Sequence, residues 1–313
     1  METNLRIAVA TAVAPVAWGS TYYVTAHFLP ADRPLFDAAL RALPFGLVLL
    51  ALRPGRVPRA WWTRTALLGV LNFAAFFVLV FVAAYRLPGG LASTLTATSP
   101  IVVMLLAWLL ASERPGLASL AGAVVGAAGV ALLVLHGGTH PDALGVLAAF
   151  GAVAASSLGF VLVKVWRPPV ELATFTAWQL IAGGVALVPV ALLVEGAPPA
   201  LGGRALAGYA YIGVAGTVVA YVVWFRGMRA LPAASVSLIG LLNPVAGSVI
   251  GVVLADEALT GTRVVGMVLV LGGVLLGQRL LAPVRHRRHH RDPDEGDADD
   301  AGHDLGDLVL DGQ

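Results

Sequence analysis

Apolar residues run along this chain in long unbroken stretches, separated by short segments that carry most of its charge. The stretches are continuous and do not alternate, which excludes the pattern of a β-barrel. A bilayer core takes roughly 20 apolar residues per helix. Ten stretches meet that need: Leu5–Ala26, Leu35–Leu52, Thr65–Ala84, Leu91–Ala111, Leu117–Leu135, Ala143–Val165, Leu172–Val194, Leu206–Phe225, Ala233–Ala255 and Val264–Leu281. The first has a single basic residue in its n-region, Arg6, and no clean small-x-small site before polar sequence. It reads as a retained helix and not as a cleaved signal. The pattern predicts an all-α membrane protein with ten transmembrane helices.

Composition sharpens this. The chain is 58% apolar, only 12% charged and has a mean hydropathy of +0.84; a soluble domain carries about twice that charge. The absence of cysteine excludes disulfides, Fe–S clusters and thiolate zinc sites. With the N-terminus in the cytoplasm, 15 Arg/Lys fall in inside segments and 4 outside. That bias places both termini in the cytoplasm, in a multi-pass plasma or inner membrane. Nine of the eighteen acids lie after Pro283, behind the basic run Arg285–Arg291. Residues 284–313 have too little apolar area to order themselves and read as a disordered cytoplasmic tail. Its arginines suit anionic headgroups, and its histidines read as a solvated run, not a metal site.

A shift of 144 residues lays the chain on itself. Gly69 falls on Gly213, Phe81 on Phe225, Leu87-Pro88 on Leu231-Pro232 and Ser93 on Ser237. Pro100 falls on Pro244, Glu113 on Glu257, Gly122 on Gly266 and Gly129 on Gly273. Earlier, Gly19 pairs with Gly159 at a shift of 140, and Arg41 with Gln179 at 138. Residues 1–136 thus form a first five-helix repeat and 137–283 a second. Five crossings is an odd number, so the second copy enters the bilayer upside down. Such inverted repeats place a substrate site near the midplane and permit alternating access.

Several motifs carry a family likeness. They are Trp18-Gly19-Ser20-Thr21-Tyr22-Tyr23, Ala39-Leu40-Arg41-Ala42-Leu43-Pro44, Ala84-Tyr85-Arg86-Leu87-Pro88-Gly89-Gly90, Ser99-Pro100 with Glu113, and Asn243-Pro244 with Glu257. With ten spans and the duplication, residues 5–281 resemble the EamA family of the drug/metabolite transporter superfamily, and within it the pigment- and metabolite-efflux (PecM-like) members. The resemblance implies ten helices, a central cavity lined by spans one to four and six to nine, and peripheral spans five and ten. One departure is Ser156-Ser157-Leu158-Gly159, where many relatives carry an aromatic residue.

The candidate cavity residues are Trp18, Ser20, Tyr22, Arg41, Asn72, Thr94, Thr98, Ser157, Trp178, Gln179, Tyr221 and Asn243. Arg41 sits well inside span two, where a charge costs roughly 2.5–3.5 kcal/mol at mid-depth. It either offers a positive site to an anionic or zwitterionic substrate, or pairs with Asp37 four residues earlier and snorkels outward. The aromatics serve as pocket walls or as interfacial anchors, and the polar residues meet substrate or hydrogen-bond between helices. Pro100 and Pro244 are hinge candidates that either gate or merely kink. Glu113 and Glu257 each close a helix and read as caps. Gly122-x-x-x-Gly126 and Gly273-x-x-x-Gly277 serve packing within a monomer or, less favoured, a homodimer.

No Asp or Glu lies deep in a lining span, which argues against proton-coupled antiport. No P-loop, HExxH, GxSxG or intramembrane aspartate pair is present, so neither an enzyme, a cofactor nor a nucleic-acid partner is expected. The expected function is secondary, non-ATP transport: export of small amphipathic or amino-acid-like metabolites through the bilayer. The competing class is a membrane sensor or scaffold whose polar residues only pack.

Overall fold

The computed structural model describes residues 2–30, 33–86, 95–134, 142–254 and 260–278. Thr94, Glu257, the side chain of Tyr22 and the 284–313 tail lie outside the described residues. Among the described residues the regular structure is helical, with no strand. The chain forms α1 (Glu2–Phe28), α2 (Pro34–Leu52), α3 (Trp62–Gly69) and α4 (Phe76–Arg86). It continues as α5 (Ser99–Ala111), α6 (Leu117–Val134), α7 (Ala143–Trp166) and α8 (Leu172–Glu195). The last part forms α9 (Gly203–Gly213), α10 (Ala220–Ala230), α11 (Ala233–Ile239), α12 (Leu242–Leu254) and α13 (Gly261–Gln278).

Among the described residues seven helical stretches are long and apolar enough to cross a bilayer: Thr3–Thr25, Pro34–Leu52, Arg59–Ala83, Ala143–Trp166, Leu172–Glu195, Gly203–Ala230 and Ala233–Leu254. Ser99–Ala111, Leu117–Leu132 and Gly261–Gly277 are shorter apolar helices. Outward faces carry bare Leu and Val, including Leu117 and Leu193 at 86% exposure. That much apolar surface is untenable in water but is the ordinary lining of a helix in lipid. The interior is filled by Phe73, Phe77, Phe175, Tyr221 and Phe225, each almost wholly buried.

Two departures from regular α-helix recur at the repeat spacing. Wide π-turns at Val70–Ala75 and Val214–Val219 join α3 to α4 and α9 to α10. Their bounds differ by the same 144 residues that align the two copies. Such turns leave carbonyls out of the regular ladder and cluster at functional sites. The second departure is a break ahead of each hinge proline. Turns at Ala97-Thr98 and Gly240-Leu241 precede α5 and α12, where Pro100 and Pro244 stand in the first turn. Proline lacks the N–H that would continue the ladder. The two prolines therefore open helices after a break instead of kinking continuous ones, as the apolar pattern had implied.

Glycines set the closest helix crossings, and the contacts are reciprocal. A Cβ added at Gly122 would lie 2.5 Å from the Gly273 carbonyl oxygen, and one at Gly129 would lie 2.7 Å from that of Gly266. Since Gly266 and Gly273 are the repeat mates of Gly122 and Gly129, α6 and α13 cross through equivalent points. On α2 and α8, Gly46 meets Leu180 and Ile181 while Gly184 meets Leu43. Reciprocal contact of this kind is what a local two-fold relation produces.

Candidate functional site

A cavity of about 440 Å³ lies among α1, α2, α4, α5, α7, α10 and the α11–α12 break. Its wall takes Trp18, Thr21 and Thr25 from α1, Arg41 from α2, and Phe77 and Phe81 from α4. Ser99 and Pro100 start α5, Ser156 and Phe160 come from α7, and Tyr221 and Trp224 from α10. Gly240, Asn243 and Pro244 come from the break and the start of α12. α8 contributes nothing to this wall, contrary to the expected lining by span seven.

Arg41 is held by the second π-turn. Its Nε donates to Thr217 Oγ1 at 2.9 Å and its Nη2 to the Gly216 carbonyl at 3.0 Å. The guanidinium carbon also lies 4.5 Å from the centroid of the Phe77 ring. The Gly216 carbonyl accepts a second bond, from Trp18 Nε1 at 2.9 Å. One carbonyl of the widened turn thus orients both the cation and an indole of the wall. Arg41 approaches the cavity fixed by bonds to one neighbouring helix and by a ring face from another. Asp37, one turn earlier and 1% exposed, turns to Tyr209, whose hydroxyl donates to Oδ1 at 2.5 Å. Its Oδ2 has no hydrogen-bond partner among the described residues.

The floor is aromatic. Trp18 packs on Tyr221 and Trp224 at centroid distances of 5.3 and 5.2 Å, and Phe160 meets Trp224 edge-on at 5.5 Å. Tyr221 is buried and its hydroxyl donates to the Asn72 carbonyl at 3.4 Å. The Trp224 indole N–H is buried without an acceptor among the described residues.

Trp18, Arg41, Tyr221 and Asn243 are therefore brought together at the cavity, with Pro100 and Pro244. The other candidates within the described residues point elsewhere. Asn72 Nδ2 donates to Gln179 Oε1 at 3.0 Å, and both are fully buried between α8 and the first π-turn. This amide pair occupies the place that, in the other copy, Arg41 and the Gly216 turn occupy. Ser20 bonds the Ala17 carbonyl and shares a 2.7 Å bond with Tyr211 Oη. Thr98 donates to Leu95 O at 2.6 Å, within the break. Trp178 donates to Gly55 O at 3.0 Å, anchoring the loop after α2. Ser157 faces Ser99 Oγ at 3.4 Å, while its neighbour Ser156 lines the cavity.

Sequence reasoning missed Thr21, Thr25, Phe77, Phe81, Ser156 and Phe160 as wall residues. The phenylalanines carry no signal inside an apolar helix. The threonines and Ser156 lie on the cavity face of helices whose other polar residues were chosen by type alone. Helical phase relative to Trp18 would have found Thr21 and Thr25, which follow it at three and seven residues.

A helical membrane body that encloses a walled, partly polar cavity and holds one bonded cation in that wall has the architecture of a small-molecule transporter. The EamA-like transporter family matches the chain twice, over residues 5–135 and 143–277. The chain belongs to that family and is a membrane transporter. It is 38% identical to Protein PecM of Dickeya dadantii (strain 3937), over 85% of this chain and 90% of that one. An "uncharacterized inner membrane transporter", YedA of Escherichia coli (strain K12), is 28% identical over 86% of this chain and 92% of its own length. A "probable amino-acid metabolite efflux pump" of Salmonella typhimurium is 26% identical over 83% of this chain and 91% of its own. A solved crystal structure covers 88% of this chain and 97% of its own with a TM-score of 0.76 at 22% identity, and shares the fold.

Proposed function

We propose that the protein is a secondary transporter that exports small amphipathic organic anions or zwitterions, amino-acid-like compounds among them, by alternating access. In this reading ten helices form two inverted five-helix repeats in the inner membrane, with both termini in the cytoplasm. The carrying observation is the placement of Arg41: a cation fixed in the cavity wall by Thr217 Oγ1, the Gly216 carbonyl and the Phe77 ring. Trp18, Tyr221, Trp224 and Phe160 add a broad apolar floor, and no carboxylate stands among the described lining residues. A molecule with one acidic group and a flat or branched apolar body matches that wall.

The reciprocal glycine crossings and the doubled π-turns support the repeat. The printed name of the Salmonella relative supports efflux of an amino-acid metabolite, and that of YedA supports the inner membrane. The chain acts as a monomer in this reading, because the glycine stripes of α6 and α13 face each other.

Purified protein in liposomes provides the test. Counterflow of radiolabelled neutral, acidic and basic amino acids and aromatic carboxylates is measured for wild type and Arg41→Gln. Uptake of a monoanion or zwitterion that Arg41→Gln abolishes at equal reconstitution supports the reading. Flux confined to organic cations, or unchanged in Arg41→Gln, refutes it.

A further inference from the structure

Glu113 recurs as Glu257 at the repeat spacing, and the function above makes no use of it. In the structure it is more than a cap. Its Oε1 lies 2.7 Å from Lys164 Nζ, and its Oε2 accepts the backbone N–H of Ala233 at 2.9 Å. Lys164 Nζ donates in turn to the Leu231 carbonyl at 2.6 Å. One ion pair therefore ties the segment after α5 to α7 and to the turn between α10 and α11. Glu113 belongs to the first copy; Lys164, Leu231 and Ala233 belong to the second. The lysine side chain is only 13% exposed and the glutamate 33%.

The position relative to the cavity follows from helix geometry. Residues spaced by one turn share a face. Lys164 lies one turn beyond the wall residue Phe160, and Ala233 one turn before the wall residue Ser237. Leu231 lies two turns beyond Trp224, and Glu113 follows α5, whose opposite end supplies Ser99 and Pro100. All these segments run from the cavity wall to the ion pair. At the other end the cavity reaches Thr25, Leu29 and Pro30, past the end of α1, and all three are only half-buried. The cavity therefore opens beside the end of α1, and the ion pair lies behind its aromatic floor.

The repeat makes the two ends unequal. Sequence alone writes the carboxylate twice, as Glu113 and Glu257, and the Leu-Pro pair twice, as Leu87-Pro88 and Leu231-Pro232. The lysine is written once: at the shift that pairs Gly19 with Gly159, Lys164 falls on Val24.

We propose that Lys164 and Glu113 are the gate residues of the transport pathway at the end away from Thr25, Leu29 and Pro30. The pair holds that end shut and must break once in every cycle. This inference rests on the alternating-access reading.

The test needs no substrate, because the protein has no cysteine of its own. Ser99→Cys marks the open part of the cavity and Ser237→Cys its floor. Each is labelled with a membrane-impermeant sulfonated maleimide in right-side-out and inside-out vesicles. With the gate intact, Ser237→Cys labels slowly from the Lys164 face. Lys164→Met raises that rate about tenfold, as loss of a half-buried ion pair shifts the open population. Glu113→Gln, which keeps an acceptor for the Ala233 N–H, does the same, and the swap Lys164→Glu with Glu113→Lys returns the rate toward that of the intact gate. Equal rates in all four proteins, with amounts in the membrane matched, overturn the gate and leave a cap. Failure of Ser99→Cys to label from either face overturns the pathway reading itself, and the gate with it.

Discussion

Arg41 carries two directed bonds, and the fork of a guanidinium is what makes both possible. Arg41→Lys keeps the charge but cannot reproduce the pair of bonds to Thr217 and Gly216. A lost charge-assisted hydrogen bond is worth about 1.5–3 kcal/mol, or about ten- to a hundredfold in affinity. We therefore expect Arg41→Lys to raise the half-saturating concentration in liposome counterflow by that range while the protein still reconstitutes normally. Trp224 invites the opposite experiment. Its indole N–H is buried without an acceptor among the described residues, so Trp224→Phe removes an unsatisfied donor and keeps most of the ring. Thermal unfolding in detergent should change by less than about 1 kcal/mol, and a fall in transport would then mark the N–H as a substrate contact.

Asp142 gives a residue-scale prediction in pH. It caps α7 by accepting the Gly145 N–H at 2.9 Å, with Arg86 Nη1 3.3 Å from its other oxygen. The Gly145 bond first, and then the charge and hydrogen bond of Arg86, hold this carboxyl below its ordinary range. A carboxyl whose folded pKa is depressed stabilises above its unfolded pKa of about 3.9 and loses that contribution as pH falls through the folded value. Hydrogen exchange at Gly145 should accordingly be faster in Asp142→Ala than in wild type at neutral pH. The two should converge as pH falls through the depressed folded value.

At the scale of elements, the apolar stretches were legible because a lipid-facing helix must be apolar over its whole length. Among the described residues seven helical stretches are long and apolar enough to cross a bilayer, and the fourth and ninth stretches read from the sequence are interrupted by turns at Ala97-Thr98 and Gly240-Leu241. The breaks ahead of Pro100 and Pro244 were half legible, since proline marks a place without saying which side of it bends. The π-turns were not legible at all. A widened turn leaves no compositional trace, and it was the turn that decided the site by offering Gly216 O to both Arg41 and Trp18. The same blindness explains Asn72 and Gln179. Polar residues in apolar helices look alike in sequence, whether they face a cavity or seal each other in a helix contact. The α6–α13 crossing yields an element-scale prediction. Gly122→Val places side-chain atoms against the Gly273 backbone. Overpacking a close contact costs about 1–3 kcal/mol, so its melting temperature in detergent should fall, and that of Gly202→Val, with open space around it, should not.

At the scale of the molecule, the duplication read from the sequence reappears as reciprocal contacts, because equivalent residues in two copies meet at equivalent points. What sequence could not supply is where the copies differ in use. Arg41 and Gln179 are repeat mates, yet one faces the cavity and the other is locked to Asn72. The glycine stripes of α6 and α13 are turned toward each other and not toward a second chain. Light scattering in detergent should give the mass of one chain per particle, and a stable dimer would show that another face associates.

The Lys164–Glu113 ion pair also bears on the thermodynamics of flow. A passive carrier obeys detailed balance, so a firmer contact at one end cannot rectify its traffic. It decides where an idle molecule waits and how long, and hence the turnover ceiling. The sign of the net flux is left to the concentrations on either side.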